Sequence, residues 1–443
     1  MAKKRMVAVI GLGHVGAHVA YSLAVQGIAD ELLLLDQNAQ KVASEAQDLR
    51  DAVAYCPHRV TVREADFADL KDCDVIVNSV GKIELLRGNH NRVTEMDFTI
   101  PAVRSYAQKI KDSGFDGVVI NITNPCDIVT RELALLLGLP KGRVFGTGTG
   151  LDTSRLLSAL ARQTGVDHKS ITCYMLGEHG NQLFAPWSCV SFRGVPLDVW
   201  AEKDERFRFD RDALQKESIN GGWVTFVGKF CTEYGIATTA ARMVHIVLHD
   251  EKVIMPASAE LDGEYGETGL FAGVPCVIGA NGVEQVLELP LTDAEKATFH
   301  ECREGIRTNM EHLKEIKKHE RINQKIYYLF RKNDETALPK AGSGAILIAF
   351  FRYMRQHRKR EELSHYEEAV GPDPVSGHGA GMSVPRVRGN HRFECIAAGA
   401  QHRGQLFLRI RARGEGAGDQ VSRHHHRDHC YGRDPHGEGQ RGI

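Results

Sequence analysis

Three glycines and one acidic residue near the start of the chain have the spacing of a dinucleotide site. Gly11, Gly13 and Gly16 form G-x-G-x-x-G after an apolar run, and Asp36 ends the next apolar run 36 − 16 = 20 residues later. Glycines allow a tight turn and let the backbone approach a pyrophosphate at a helix N-terminus. An acid at this distance binds a ribose and repels a 2′-phosphate, so the spacing predicts NAD rather than NADP.

Three further motifs carry candidate catalytic residues. His179 stands between glycines in L-G-E-H-G-N, although a lone histidine of this kind is as often structural as catalytic. Asn124 follows an apolar run in I-T-N-P, at the carboxyl end of a predicted strand, where ligands of parallel sheets bind. Asp152 and Arg155 are three residues apart at a predicted helix start and can share one face. The additional motifs favour a functional histidine.

Predicted strands and helices alternate over residues 6–145, and these elements must position the candidate residues. Strands are predicted at 7–10, 32–35, 60–62, 75–80, 118–122 and 144–145, with helices at 14–26, 39–53, 94–111 and 128–137. Nearly continuous apolar strands are typical of a parallel sheet that is covered on both faces. The pattern predicts a Rossmann-type, doubly wound α/β domain over residues 1–147.

Residues 148–313 predict a second, α+β domain for the substrate. Helices are predicted at 153–163, 211–248 and 293–313, hairpin-like segments at 171–176 and 187–192, and strands at 274–279 and 283–287. Thr292 and Glu295 fit a capping box at the start of the last helix, and apolar residues follow at helical spacing. We therefore expect the folded domain to end at Leu313.

The charge of the chain changes sign after this point. Residues 1–313 hold 32 Lys+Arg and 42 Asp+Glu, 32 − 42 = −10, whereas residues 314–443 hold 24 and 15, 24 − 15 = +9. From Gly371 onward, Gly, Arg and His recur without a strand or helix period, which is typical of unstructured chain. The alternatives are a basic arm at 314–360 for nucleic acid or an acidic membrane surface, and a metal site formed by residues 424–426 with His429 and Cys430. We expect the extension to lie outside the enzyme.

Composition also excludes several classes of protein. No apolar run reaches the roughly 20 residues of a membrane helix, and no signal peptide is recognisable. The 10 cysteines are scattered without a C-x-x-C pair, as expected for reduced thiols in a cytoplasmic protein. We expect no catalytic metal, no nucleic-acid partner and no membrane partner.

Taken together, the motifs resemble those of a known enzyme family. G-x-G-x-x-G with Asp36, I-T-N-P, G-T-G-T-x-L-D-T-S-R at 146–155 and G-E-H-G resemble the L-lactate/malate dehydrogenase superfamily over residues 6–313. Within it, the pattern is most similar to the L-2-hydroxyisocaproate dehydrogenases. The resemblance implies reversible hydride transfer between NADH and a 2-oxo acid, by an enzyme that is usually a dimer or tetramer. We therefore expect a homo-oligomer.

The resemblance also implies roles for the candidate residues. His179 would exchange the hydroxyl proton, which suits an imidazole because its pKa lies near neutrality. Asp152 would hold the imidazole tautomer, and Arg155 would bind the substrate carboxylate through a bidentate fork. Asn124 would hydrogen-bond the reacting oxygen and help to seat the nicotinamide. Further implied positions are Thr232 for the substrate and Val15, Lys41, Gly81 and Thr147 for the cofactor.

The segment between Gly81 and Arg92 corresponds to the mobile loop of the family. Arg92 would polarise the substrate carbonyl once the closed loop excludes water. Leu86 stands where lactate enzymes have Gln and malate enzymes have Arg, which favours medium-sized apolar 2-oxo acids such as 2-oxoisocaproate. The loop is two residues longer than in a typical lactate enzyme, and Arg87 keeps a malate-like alternative open. L-lactate dehydrogenase is the first alternative, and a catalytically silent protein on this fold is the last.

Overall fold

The structure is a computed structural model that describes residues 3–86, 93–180 and 182–333. The side chains of Leu86, Val93 and residues 317–333 are outside this description. Two predicted site groups, Arg92 and the side chain of Leu86, therefore lie outside the described residues.

Six short strands form a parallel sheet in the first part of the chain. They are β1 (Met6–Ile10), β2 (Glu31–Leu35), β3 (Thr61–Glu64), β4 (Val75–Asn78), β5 (Val118–Asn121) and β6 (Val144–Gly146). Helices α1 (His14–Val25), α2 (Ala39–Val53), α3 (Val93–Asp112) and α4 (Cys126–Leu137) connect them. The strand order is β3-β2-β1-β4-β5-β6. Because the order reverses between β1 and β4, a ligand crevice is expected at their carboxyl ends.

The second part of the described chain adds helices and antiparallel strands. The helices are α5 (Gly150–Thr164), α6 (Leu197–Lys203), α7 (Arg211–Lys229), α8 (Tyr234–His249) and α9 (Asp293–Asn333). The strands are β7 (Ile171–Thr172), β8 (Leu176–Gly177), β9 (Leu183–Phe184), β10 (Ser191–Phe192), β11 (Val195–Pro196), β12 (Val253–Asp262), β13 (Thr268–Gly279) and β14 (Gly282–Val286). Strand β12 extends the main sheet from β6, and β7, β10 and β11 form a small second sheet. The predicted fold class, a doubly wound sheet with an α+β second domain, is confirmed.

Two predicted elements differ clearly from the structure, and one long strand was not predicted. The helix predicted at 211–248 is two helices, because Phe230 takes a left-handed conformation (φ = 66°) and ends α7. Strand β12 was not predicted, since Pro256 and acidic residues interrupt its apolar pattern. The last helix continues from Leu313 to Asn333, and Ile316 is 6% exposed and packs in the core. The prediction that this helix ends at Leu313 is therefore wrong.

Helix α5 is held between two hydrophobic cores. Leu151 belongs to the larger core, which surrounds the main sheet, and Leu156 belongs to a smaller core that includes Ile171, Phe192 and Leu214. The first two turns of this helix carry two of the candidate site residues, so their positions are fixed by packing on both sides. No helix in the described ranges combines the length and apolarity that are needed to cross a membrane.

Candidate active site

The turn between β1 and α1 is shaped for the close approach of a ligand. Gly11 has φ = 90°, and a Cβ there would lie 2.8 Å from the backbone N of Val80. A Cβ on Gly16 would lie 1.9 Å from the carbonyl oxygen of Gly11. At Gly13, directly before α1, a Cβ would meet nothing within 4 Å. Packing thus requires the outer two glycines, while the middle one leaves open space where a helix N-terminus attracts a phosphate.

Asp36 lies directly after β2 and is tied to this turn. Its Oδ2 accepts a hydrogen bond from the backbone N–H of Leu12 at 2.8 Å, and its Oδ1 accepts one from Asn38 at 2.9 Å. The carboxylate is half-buried at the carboxyl edge of the sheet. This position and charge fit the ribose contact that the sequence predicts.

Most of the other predicted cofactor residues lie along the same edge. Gly81 is exposed three residues after β4, and Thr147 is buried directly after β6. Val15 is half-buried in the first turn of α1. Lys41 forms an ion pair with Glu45 within α2, so its ammonium group is already engaged on its own helix.

His179, Asp152 and Arg155 form a continuous hydrogen-bonded chain. Nδ1 of His179 lies 2.7 Å from Oδ2 of Asp152, and Nη1 of Arg155 donates to Oδ1 of the same carboxylate at 2.9 Å. Their side chains are only 11%, 6% and 16% exposed, so water is largely excluded. Because the carboxylate can only accept, Nδ1 of the imidazole donates and Nε2 is the atom that can exchange a proton.

Arg155 also faces a cavity of about 370 Å³. Its Nη2 lies 3.4 Å from Oγ1 of Thr232, which is in the break between α7 and α8. Helix α7 packs closely against the side chain of Arg155 at two glycines. A Cβ on Gly221 would lie 3.1 Å from Cδ of Arg155, and one on Gly222 would lie 3.4 Å from its Nη2.

Neither glycine was predicted from the sequence to lie beside the site. Two adjacent glycines inside a helix cost about 1 kcal/mol each relative to alanine, and this cost is the signal that could have pointed to them.

Asn124 supplies a polar atom that lacks a partner. Its Oδ1 is buried and accepts no hydrogen bond from the residues that the structure describes. Leaving such an atom unsatisfied costs about 1–3 kcal/mol, so a ligand that donates to it would be stabilised. Together with the open space at Gly13 and the carboxylate of Asp36, this atom fits a bound dinucleotide.

Asp127 is a second buried carboxyl that the sequence analysis did not identify. Its Oδ2 accepts a hydrogen bond from the backbone N–H of His179 at 3.0 Å, and its Oδ1 accepts one from the hydroxyl of Ser258 at 2.5 Å. Burial raises the pKa of this carboxyl to about 6, against the opposite effect of the two hydrogen bonds. An aspartate in the first turn of a helix directly after I-T-N-P was the available signal.

The fold and this site define an NAD-binding oxidoreductase. A family described as lactate/malate dehydrogenase, NAD binding domain, matches residues 5–146, and the alpha/beta C-terminal domain of the same family matches residues 149–317. The chain belongs to the lactate/malate dehydrogenase family, and the predicted cofactor, NAD, is confirmed.

Individual relatives agree with this assignment. L-lactate dehydrogenase of Fusobacterium nucleatum is 41% identical over 304 residues, which is 68% of this chain and 95% of the relative. L-lactate dehydrogenase 1 of Bifidobacterium longum is 38% identical over 312 residues, 70% of this chain and 98% of the relative. Among solved structures, the ligand-bound minor L-lactate dehydrogenase of Enterococcus mundtii has a TM-score of 0.67 at 33% identity and covers 70% of this chain and 99% of its own.

The names of these relatives test the predicted similarity to the L-2-hydroxyisocaproate dehydrogenases. The relatives are named L-lactate dehydrogenase rather than L-2-hydroxyisocaproate dehydrogenase. The predicted superfamily is confirmed, and the comparisons favour the lactate alternative over the isocaproate branch.

Proposed function

We propose that the chain is an NAD-dependent L-2-hydroxy-acid dehydrogenase whose leading substrate pair is pyruvate and L-lactate. The observation that carries this proposal is the His179–Asp152–Arg155 chain, which joins a proton-exchanging imidazole and a guanidinium through one buried carboxylate. The names of the relatives support lactate as the substrate.

Bound NADH would supply the hydride. His179, when protonated, gives its Nε2 proton to the carbonyl oxygen of the substrate and takes it back from the hydroxyl group in the reverse direction. Asp152 accepts the Nδ1–H bond throughout and stabilises the imidazolium. Positioned acid–base groups of this kind contribute about 10²–10⁴-fold to a rate.

Arg155 binds the carboxylate of the substrate in this proposal. Its guanidinium is 16% exposed and faces the cavity beside Thr232, so the charged contact would form with little competing water. Asn124 holds the reacting oxygen and the nicotinamide. By the resemblance to the family, Arg92 would polarise the carbonyl and Leu86 would contact the substrate side chain.

A second candidate substrate is a medium-sized apolar 2-oxo acid such as 2-oxoisocaproate. The feature that favours it is the apolar Leu86, which stands in the sequence where lactate enzymes have Gln.

The broader setting is also part of the proposal. The enzyme would act in the cytoplasm as a homo-oligomer on a small 2-oxo or 2-hydroxy acid, without nucleic acid or membrane partners. Residues 1–147 would bind the cofactor, residues 148–313 would bind the substrate, and residues 314–443 would not take part in catalysis.

A panel of 2-oxo acids with NADH tests the proposal. We expect kcat/KM to be highest for pyruvate. A value for 2-oxoisocaproate more than about tenfold higher would select the second candidate, and a preference for oxaloacetate would select the malate alternative. If no 2-oxo acid drives oxidation of NADH, the proposed function is wrong.

A further inference from the structure

A histidine, a cysteine and a glutamate from two distant parts of the sequence meet beside the glycine turn. His14 is the first residue of α1, and Cys231 and Glu233 lie in the break between α7 and α8. The candidate ligand atoms of the three side chains all lie within 4.8 Å of one another. Oε1 of Glu233 lies 3.1 Å from Nδ1 of His14 and 3.4 Å from Sγ of Cys231.

Two of the three separations, those to Oε1 of Glu233, are close to the edges of a zinc coordination tetrahedron. Zn–N and Zn–O bonds of about 2.0–2.2 Å and Zn–S bonds of about 2.3 Å give ligand–ligand edges of roughly 3.3–3.7 Å. The two measured separations are within a few tenths of an ångström of that range. A metal ion could therefore replace the present hydrogen bonds with small movements of the side chains.

Differences in exposure leave one side of the three residues open to an ion. Cys231 and Glu233 are 5% and 8% exposed, whereas the side chain of His14 is 70% exposed, so an ion can enter from the His14 side. Lys229 pairs with the other carboxylate oxygen, Oε2 of Glu233. That ion pair holds the carboxylate in its charged form and leaves Oε1 as the coordinating atom.

We propose that His14, Cys231 and Glu233 form a binding site for Zn²⁺ or a similar borderline metal ion. Imidazole, thiolate and carboxylate are the ligand types that zinc takes in proteins, and a water molecule would complete a four-coordinate site. The ion would join the cofactor turn to the segment that carries Thr232. The proposal does not depend on the proposed function, because binding is measured on the chain without substrate.

The described residues contain a second group of potential ligands, His245, His249 and Glu251. Arg242 donates to both carboxylate oxygens of Glu251, whereas Lys229 pairs with only one oxygen of Glu233. This group has no sulfur ligand, so it is a matched control for the first.

Titration of the full-length chain with Co²⁺ tests the proposal, because cobalt bound to a thiolate produces a near-ultraviolet charge-transfer band. We expect one such band, displaced by Zn²⁺, and its loss in Cys231→Ser. His14→Asn and Glu233→Gln should each weaken Zn²⁺ binding by at least about tenfold, and these two variants test the site even if Cys231→Ser does not fold.

The controls locate the ion. His249→Ala should keep the band, and so should Cys430→Ser, which removes the thiol near the histidines at 424–426. Zn²⁺ should also raise the Tm of the unmodified chain more than that of Glu233→Gln. The proposal is overturned if the chain shows no band, if the band persists in a folded Cys231→Ser, or if it disappears in Cys430→Ser.

Discussion

The buried carboxylate of Asp127 accepts a hydrogen bond from the backbone N–H of His179 at 3.0 Å. The same carboxylate also accepts a hydrogen bond from the hydroxyl of Ser258. Asp127 on α4, held by Ser258 on β12, therefore positions the backbone of His179. Asp152 on α5 holds the imidazole ring. Two carboxylates on different helices thus fix the backbone and the ring separately, which makes Asp127 a positioning residue for the site.

Asp127→Asn should change how stability depends on pH. Burial raises the pKa of this carboxyl to about 6 in the folded state, above the roughly 3.9 of an unfolded chain. The folded state therefore binds the proton of Asp127 more tightly than the unfolded state does. The contribution of Asp127 to the free energy of unfolding falls as the pH rises from about 4 to about 6. The fall is roughly 3 kcal/mol, with no further change above that range.

The asparagine variant lacks this contribution, while its amide can still accept from His179 and donate to Ser258. Urea unfolding of both proteins at pH 4.5, 5.5 and 7 gives the difference in stability between them, which removes the common effect of other carboxyl groups. Identical pH dependence in the two proteins would show that Asp127 does not titrate in this way.

Arg155→Lys should raise KM for pyruvate by about 10²-fold, because an ammonium cannot replace a planar bidentate fork. NADH affinity should not change, since Arg155 contacts Asp152 and Thr232 rather than the glycine turn. Steady-state kinetics and NADH fluorescence titration measure the two effects. Arg206→Lys, whose side chain is 58% exposed and pairs with Asp204 away from this cavity, is the control and should leave KM unchanged.

Gly13→Ala should separate cofactor binding from folding. The backbone at Gly13 (φ = −64°) suits alanine, and the added Cβ meets nothing within 4 Å, so Tm should stay within about 2 °C. The methyl group would occupy the space in front of α1 and weaken NADH binding by at least about tenfold. Gly16→Ala, whose Cβ would lie 1.9 Å from a carbonyl oxygen, should lower Tm as well. Unchanged NADH affinity in Gly13→Ala would place the pyrophosphate elsewhere.

Gly222→Ala should weaken substrate binding. Its Cβ would lie 3.4 Å from Nη2 of Arg155 and would crowd the guanidinium that binds the substrate carboxylate. We expect KM for pyruvate to rise at least about threefold, with NADH affinity unchanged. Gly228→Ala lies in the same helix with nothing within 4 Å of its Cβ and should change neither value. An unchanged KM in a folded Gly222→Ala would show that α7 does not constrain Arg155.

The parallel sheet could be predicted because the sequence pattern of each of its strands and helices is local. Each strand is a short apolar run and each helix has its own apolar period; the helix predicted at 39–53 coincides with α2. Strand β12 could not be predicted in this way, since Pro256 and its acidic residues resemble a loop and its pairing with β6 and β13 is long-range.

The contacts of the candidate site are likewise of two kinds, those between near neighbours in the sequence and those between distant residues. Asp152 and Arg155 are near neighbours on one helix, so their proximity follows from helical spacing. The partnership of Asp127 with Ser258 joins residues that are far apart in the sequence, and no local pattern could predict it. The same holds for Thr232, which reaches Arg155 only because Phe230 ends α7 and turns the chain.

The rate of hydride transfer in a single turnover shows whether His179 exchanges the proton of the substrate. NADH bound to the enzyme is mixed with excess pyruvate, and the loss of NADH absorbance is followed in the native protein and in His179→Gln. We expect the variant to bind NADH normally and to transfer hydride about 10²–10⁴-fold more slowly. An equal transfer rate in both proteins would contradict the role of His179 and, with it, the mechanism proposed for the site.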